Sequence, residues 1–413
     1  MCRINSINTV TTFAEMMEDA NLSEKRYKTN FFECFGVIRD VRQEGKVRHE
    51  LIDILFIIVS AFFAKIDEVA EIPLWAKLEQ NYEWLKQYIN LTNGVPSVST
   101  FRRILRIVDP KQFEKCFINW AKQITVFSED GGDIVAIDGK TMCGSRDGGK
   151  VAHIVSAWCS VNNLVIGQVK TEEKSNEITA IPDLLDLLYL EGCVVTIDAM
   201  GCQTKIAKKI RKKKADYVLS LKGNQETLLK ETAEYFEGFT PEEKEQIKEG
   251  KNEKIHTLKT QEKGHGRIEI REYVYSTDID WMKDAKKDWA GLKGIGMVNR
   301  CVTRKDRVTE ETQFFIGSID NVEQFAKAVR SHWGIESVHW SLDVTFRDDA
   351  NKTRKDMAPQ NMAVAKRIVL NMVRNEKELY PERSANLKRL TGSLDMEYRT
   401  HVFDLNFKSK VSD

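Results

Sequence analysis

Two acidic residues in this chain close apolar runs. In "IVAIDGKT" the run Ile134–Ile137 ends on Asp138, and in "VVTIDAMGCQ" the run Val194–Ile197 ends on Asp198. Short runs rich in Val and Ile read as buried strands, and in α/β sheets functional groups collect just beyond the carboxyl ends of strands. Neighbouring strands would bring the two carboxylates together. Such a pair repels itself unless a proton or a cation intervenes. Hard divalent cations take oxygen ligands, and Mg²⁺ commonly takes one or two carboxylates plus a substrate phosphate. A plainer reading stands beside this one: each Asp caps the turn or helix that follows, a task Asp performs well.

A third element is "RSHWGIESVHWSLDVTF", Arg330 to Phe346. Written as one helix, it puts His332, Glu336, His339, Trp340 and Asp343 on one face. Trp333 and Trp340 point to burial. The two histidines read equally as satisfied core residues, and the order H-x3-E-x2-H does not match the HExxH zinc signature. A Glu brought by a helix to two strand-end Asp residues would make a three-carboxylate, two-metal site, which suits in-line attack at a phosphodiester. No protein nucleophile is then needed, and the chain has neither GxSxG nor a Walker lysine loop. "GHGRIEIRE", Gly264 to Glu272, reads as a β-turn rather than a phosphate loop.

A net charge of +1 means that any affinity for nucleic acid has to come from local clustering. The stretch Cys202–Lys214 holds seven Lys/Arg and no acid in 13 residues, directly after Asp198. Phosphate contacts there would be salt-sensitive; a solvated helix face explains the run equally well. Asn351–Arg374, which includes Arg354, is a second basic stretch. Arg102 and Arg103, just inside a helix start, are candidates for backbone phosphate contact.

The elements that must position these groups follow from periodicity. Arg48–Thr125 reads as helices, with Ser99 or Thr100 capping the one after "GVPSVS" and Asp109-Pro110 starting the next. Its longest apolar run, Leu51–Ala64, has 14 residues and contains Asp53, short of the ~20 that cross a bilayer, so a buried helix is expected and no membrane partner. Strands come after Gly131, the second and third joined at Asn162-Asn163. A helix capped by Ser175 or Asn176, the strand ending at Asp198, the basic helix and the strand "DYVLSL" follow. That order predicts an α/β protein with a mixed sheet. Residues 226–253 carry nine Glu against four Lys and read as helical. Strand-like text fills 254–317, and two long helices, "NVEQFAKAVRSHWGIESVHWSLD" and "APQNMAVAKRIVLNMVRNEKEL", close the pattern. Eight cysteines without a CxxC pair fit a reduced, cytoplasmic protein.

Six segments, "AIDGKTMCGSR", "VKTEEKSNEITAIPDLL", "TIDAMGCQ", "DYVLSLKGNQ", "GHGRIEIREY" and "SHWGIESVHWSLDVTFRDDANKTR...APQN", occur in this order. Together they resemble the H-repeat-associated branch of the bacterial insertion-sequence DDE transposases, over about Leu51–Leu379. The resemblance implies a ribonuclease-H-like mixed sheet flanked by helices, with a β-rich insertion and an all-helical N-terminal domain. The implied division is a helical DNA-binding or association domain over 1–127, the catalytic core over 128–225 and 318–379, an insertion over 226–317 and a tail over 380–413. It places the catalytic, metal-holding set on Asp138, Asp198 and Glu336, with two Mg²⁺ ions for which Mn²⁺ substitutes. The implied substrates are the element's terminal inverted repeats and target DNA, cut and joined by a homodimer in the cytoplasm, nucleoid-associated when bound. Lys140, Lys222, Asn224, Gln225, His332, Trp333, His339, Asp343 and Arg354 are candidates for DNA or supporting contacts. Where related helices carry Tyr-Arg-Glu-Lys, this chain has Val329, His332, Glu336 and Asp343. Cys143 and Asp348 stand where Arg and Glu are usual. The competing functions are a DNA-binding protein without transposition activity, decayed or host-recruited, and a non-transposing nuclease.

Overall fold

Helices α1 (Phe31–Phe35), α2 (Leu51–Phe63), α3 (Ile72–Lys77), α4 (Glu79–Leu85), α5 (Val98–Ile107) and α6 (Pro110–Ile124) lead the chain. The computed structural model describes residues 30–142, 153–171, 177–264, 266–305, 307–350 and 353–407. α2 is apolar on nearly every side and is buried on nearly every side, Asp53 included, as a helix lacking a polar face requires. Ser97, rather than Ser99 or Thr100, caps α5: its backbone is extended and its hydroxyl accepts the Thr100 N–H at 3.3 Å. α6 starts at Pro110, and the Asp109 carboxylate accepts the Lys111 N–H at 2.9 Å.

Strands β1 (Ile134–Thr141), β2 (His153–Cys159) and β3 (Leu164–Thr171) form an antiparallel meander. Asn163, in the β2–β3 turn, takes a φ of 59°, a conformation Asn tolerates better than most residues. Next come α7 (Glu177–Leu187), β4 (Val194–Ile197), α8 (Thr204–Lys212) and β5 (Asp216–Leu221). The expected caps of α7, Ser175 and Asn176, lie outside the described residues, as does Cys143. The acidic stretch forms two helices, α9 (Glu226–Glu237) and α10 (Pro241–Lys248). The strand-like text forms β6 (Ile255–Gly264), β7 (Arg267–Ser276), β8 (Gly294–Arg304) and β9 (Arg307–Gly317), with α11 (Lys283–Asp288) between β7 and β8.

Among the described residues all nine strands belong to one sheet in the order β3-β2-β1-β4-β5-β9-β8-β7-β6. β1, β4 and β5 are parallel neighbours, and every other pairing is antiparallel. Strands β6–β9 are therefore continuous with the rest of the sheet: β9 pairs β5 from Val218↔Gly317 to Leu221↔Phe314.

The long helix expected around Glu336 is broken. α12 (Val322–His332) stops at Trp333, α13 (Gly334–Trp340) restarts, and a π-helical turn (Ser341–Thr345) follows. Gly334 packs so closely on the Trp158 ring that a Cβ there would overlap it, a contact that helical periodicity cannot report.

Two units result, one from the chain up to Phe117 together with Lys355 onward, the other from Ile118–Arg354. α14 (Ala358–Asn375) packs in the unit that holds the amino-terminal helices. The expected tail instead forms α15 (Ala385–Leu394) and α16 (Met396–Phe407) of the same unit, whose Phe403 and Phe407 rings meet Phe56 and Phe31 at 5.5 and 5.1 Å. In the second basic stretch Arg354 and Lys355 are exposed, whereas Lys366 and Arg367 of α14 are buried and burial lowers the Arg374 pKa to about 10, so only part of the stretch faces solvent. Among the described residues no helix is long and apolar enough to cross a membrane.

Candidate active site

β1 and β4 pair in parallel from Ile134↔Val194 to Ile137↔Ile197. The next residue on each strand is an acid, so Asp138 and Asp198 leave the ladder at the same level. Ile134, Val135, Ala136 and Ile137 are fully buried, and so are their β4 partners, which fixes that register from both faces. Asp138 continues in β1 opposite Ser156 of β2. Asp198 instead caps a short 3-10 turn, its carboxylate accepting the Met200 N–H at 3.1 Å. For Asp198 the capping reading holds, and the single cap bond leaves the rest of the carboxylate available.

Glu336 sits on α13. One cavity of about 310 Å³ is lined by Asp138, Asp198 and Glu336 together, with Lys222, His332 and Trp333. A larger cavity of about 710 Å³, between Phe236, Ile247, Met297 and Phe314, is mainly apolar and holds none of these acids. Burial pushes the Asp138 carboxyl up to about 6; the Gly139 N–H opposes the shift, and the charges of Asp198, Glu177 and Glu336 add to it. Acid crowding of this kind is relieved by a proton or a cation.

The other candidates divide by what they touch. His332 is held by a 2.9 Å hydrogen bond between its Nδ1 and Thr196 Oγ1, and burial lowers its pKa against the pull of Asp198, so the ring is neutral near pH 7. His339 Nδ1 lies 3.6 Å from Asp138 Oδ2. Lys140 is buried and meets Asp343 at 2.5 Å and Asp349 at 3.4 Å. Burial raises the Asp343 pKa and Lys140 opposes the shift. Asn224 and Gln225 donate to the carbonyls of Ala199 at 2.6 Å and Cys202 at 2.9 Å, bracing the turn that carries Asp198. Asp348, noted for its departure from Glu, is buried.

Trp333 and Trp340 are not core residues: they are 39% and 62% exposed. Trp333 forms part of the cavity rim, with the Arg300 guanidinium of β8 over its ring at 5.3 Å. Arg354 is not among the residues that line the cavity. Arg102 and Arg103 are exposed on α5, in the other unit. In the basic helix α8, Lys209 pairs with Asp186 at 2.6 Å, Arg211 with Asp216 and Lys214 with Glu191 at 2.8 Å, while Lys213 donates to the Asp186 carbonyl at 2.7 Å. Much of that run is thus neutralised or engaged locally. Sequence reasoning missed Glu177, whose charge reaches Asp138. It stands inside the segment "VKTEEKSNEITAIPDLL", but nothing in its spacing ties it to the strand of Asp138.

The donor set suits a divalent cation, since carboxylate oxygens are what Mg²⁺ and Mn²⁺ prefer. Among the described residues no three His, Cys, Asp or Glu side chains are grouped closely enough to enclose an ion. The fit is therefore one of chemistry and crowding, not of a closed cage.

The family described as Transposase DDE domain matches residues 129–372, and one described as DDE_Tnp_1-associated matches residues 32–121. The chain belongs to the DDE-domain transposase family. "Putative transposase YncI" of Escherichia coli O157:H7 is 41% identical over 358 residues, covering 85% of this chain and 88% of that protein. "H repeat-associated putative transposase YhhI" of Escherichia coli (strain K12) is 37% identical over 354 residues, covering 84% and 90%.

Proposed function

We propose that this protein binds the ends of a mobile DNA element, hydrolyses a phosphodiester at each end and joins the freed 3′-hydroxyls to target DNA. Asp138, Asp198 and Glu336 are its catalytic carboxylates. The observation that carries the reading is the β1–β4 register, which sets Asp138 beside Asp198 in a cavity that Glu336 also lines. Two divalent ions, Mg²⁺ or Mn²⁺, held by these carboxylates would supply charge stabilisation at the attacking and leaving oxygens.

The remaining work falls to the chain itself. Lys222, exposed at the cavity, is the cation placed to meet a DNA phosphate. Neutral His332 is hydrogen-bonded to Thr196 at the floor, and His339 stands beside Asp138. In the first step water forms a bond to phosphorus and the bond to one bridging oxygen breaks, releasing a 3′-hydroxyl and a 5′-phosphate. In the second step that hydroxyl forms the bond to phosphorus of a target phosphodiester, the bond to the target's own 3′-oxygen breaks, and the proton passes to that departing oxygen. The strand order β3-β2-β1-β4-β5, an antiparallel meander followed by parallel neighbours, supports a ribonuclease-H-like core with the four strands β6–β9 as its insertion. Concerted cutting of two ends requires a homodimer on DNA, acting in the cytoplasm at the nucleoid.

Asp198→Asn tests the assignment. Mg²⁺-dependent nicking of DNA carrying the element's ends should fall by several orders of magnitude while DNA binding persists. Unchanged nicking removes Asp198 from the site. Equal cutting of DNA lacking the ends would instead make the protein a non-transposing nuclease.

A further inference from the structure

Gly139 lies between Asp138 and Lys140 on β1, and the space its side chain would fill is taken by other groups. A Cβ there would overlap both His153 Nε2 and Glu177 Oε1. Those two atoms are 2.5 Å apart, and the residues are 1% and 4% exposed. The other ring nitrogen of His153, Nδ1, lies 2.9 Å from Thr141 Oγ1, its register partner across β1–β2. The imidazole is hydrogen-bonded to β1 through Nδ1, and its Nε2 lies against the carboxylate of the first residue of α7. Because side chains alternate along a strand, this assembly sits across β1 from Asp138.

A buried carboxylate is costly to keep unless it is paired, and packing alone would accept Gln at this position. Yet the Glu177 carboxylate stands against Gly139, the residue next to Asp138, so it borders the strand end that carries the acidic site. We propose that Glu177, held by His153 in the space Gly139 leaves, is a positioning residue of the acidic site: it fixes the backbone that presents Asp138 and adds a fourth negative charge that raises the cavity's affinity for divalent cations. The inference rests on reading that cavity as a cation-assisted phosphodiester site.

The test measures Mn²⁺ binding to the full chain by calorimetry, without DNA, with a thermal melt as the check on folding. Glu177→Gln keeps the shape and removes the charge. Mn²⁺ binding should weaken by about tenfold or more, and the nicking deficit should shrink as Mn²⁺ is raised to saturation, which a merely structural defect would not allow. Wild-type Mn²⁺ affinity in folded Glu177→Gln overturns the proposal. Asp198→Asn is the control: if it also binds Mn²⁺ normally, the reading of the cavity fails, whereas if it alone loses binding, only the role of Glu177 fails. Should Glu177→Gln not fold, Glu177→Asp retains the charge and withdraws it by one methylene. Intermediate Mn²⁺ affinity is expected there, and wild-type affinity with a wild-type nicking rate overturns the proposal as well.

Discussion

The Lys140 ammonium stands 2.5 Å from the Asp343 carboxylate, fastening β1 to the π-helical turn that follows α13. π-helical turns recur at functional sites, and this one joins the strand of Asp138 to the segment after Glu336. Asp343→Asn removes the charge nearest the buried Lys140, leaving Asp349 at 3.4 Å as its opposing carboxylate, and should cost about 1–3 kcal/mol. Lys140→Met combined with Asp343→Leu should cost less than the two single changes added together. Urea unfolding of the four proteins gives the coupling; a value near zero would show that the fastening contributes nothing.

Asp138 makes stability depend on pH. Burial raises its carboxyl from the ordinary 3.8 to about 6. Between those values the folded protein holds a proton that the unfolded chain has released. Stability therefore falls as pH rises from about 4 to about 6, by at most about 3 kcal/mol. Denaturant unfolding in chelator across this range should show that slope in the wild type and lose it in Asp138→Asn. Adding Mn²⁺ at pH 7 should return part of the loss, since a cation relieves the same crowding.

Gly334 opens α13 two residues before Glu336, against the Trp158 ring. Gly334→Ala forces the ring or the helix to move and should lower stability by about 1–3 kcal/mol, with a disproportionate loss of nicking because Glu336 shifts as well. Trp158→Phe, with a smaller ring, should restore part of both. A Gly334→Ala protein with wild-type melting and nicking would mean that the contact imposes no constraint.

Two lysines separate phosphate contact from local neutralisation. Lys222 lines the acidic cavity, whereas Lys209 pairs with Asp186. Lys222→Gln should reduce the slope of log affinity for DNA against log salt by about 1, and Lys209→Gln should leave it unchanged. Equal slopes for both variants would contradict the contact assigned to Lys222.

Much of the site was legible because its signals are local. An apolar β-branched run interrupted by an acid marks a strand end, and β5 spans the same Asp216–Leu221 that its text suggested. What was missed depends on contacts between distant segments. The break at Trp333 follows from Gly334 meeting Trp158, and the quenching of Lys209 from its contact with α7. The burial of Lys366 and Arg367 follows from helices enclosing α14 on all sides, which a count of charges cannot convey. Glu177 was in view, but its relation to Asp138 passes through a space left by Gly139, and an absent side chain has no pattern to read.

The helical unit drawn from both ends of the chain bears on the order in which the protein is made. A growing polypeptide emerges amino end first, so Phe56 leaves the ribosome long before Phe403, the ring it packs against at 5.5 Å. The sheet-bearing unit can close during synthesis, while the first helices, whose Phe56 meets Phe32, Trp84 and Tyr88 among themselves, must wait for the last to complete their core. Translation that halts between Arg354 and Phe403 would thus release an assembled acidic centre lacking a finished companion unit.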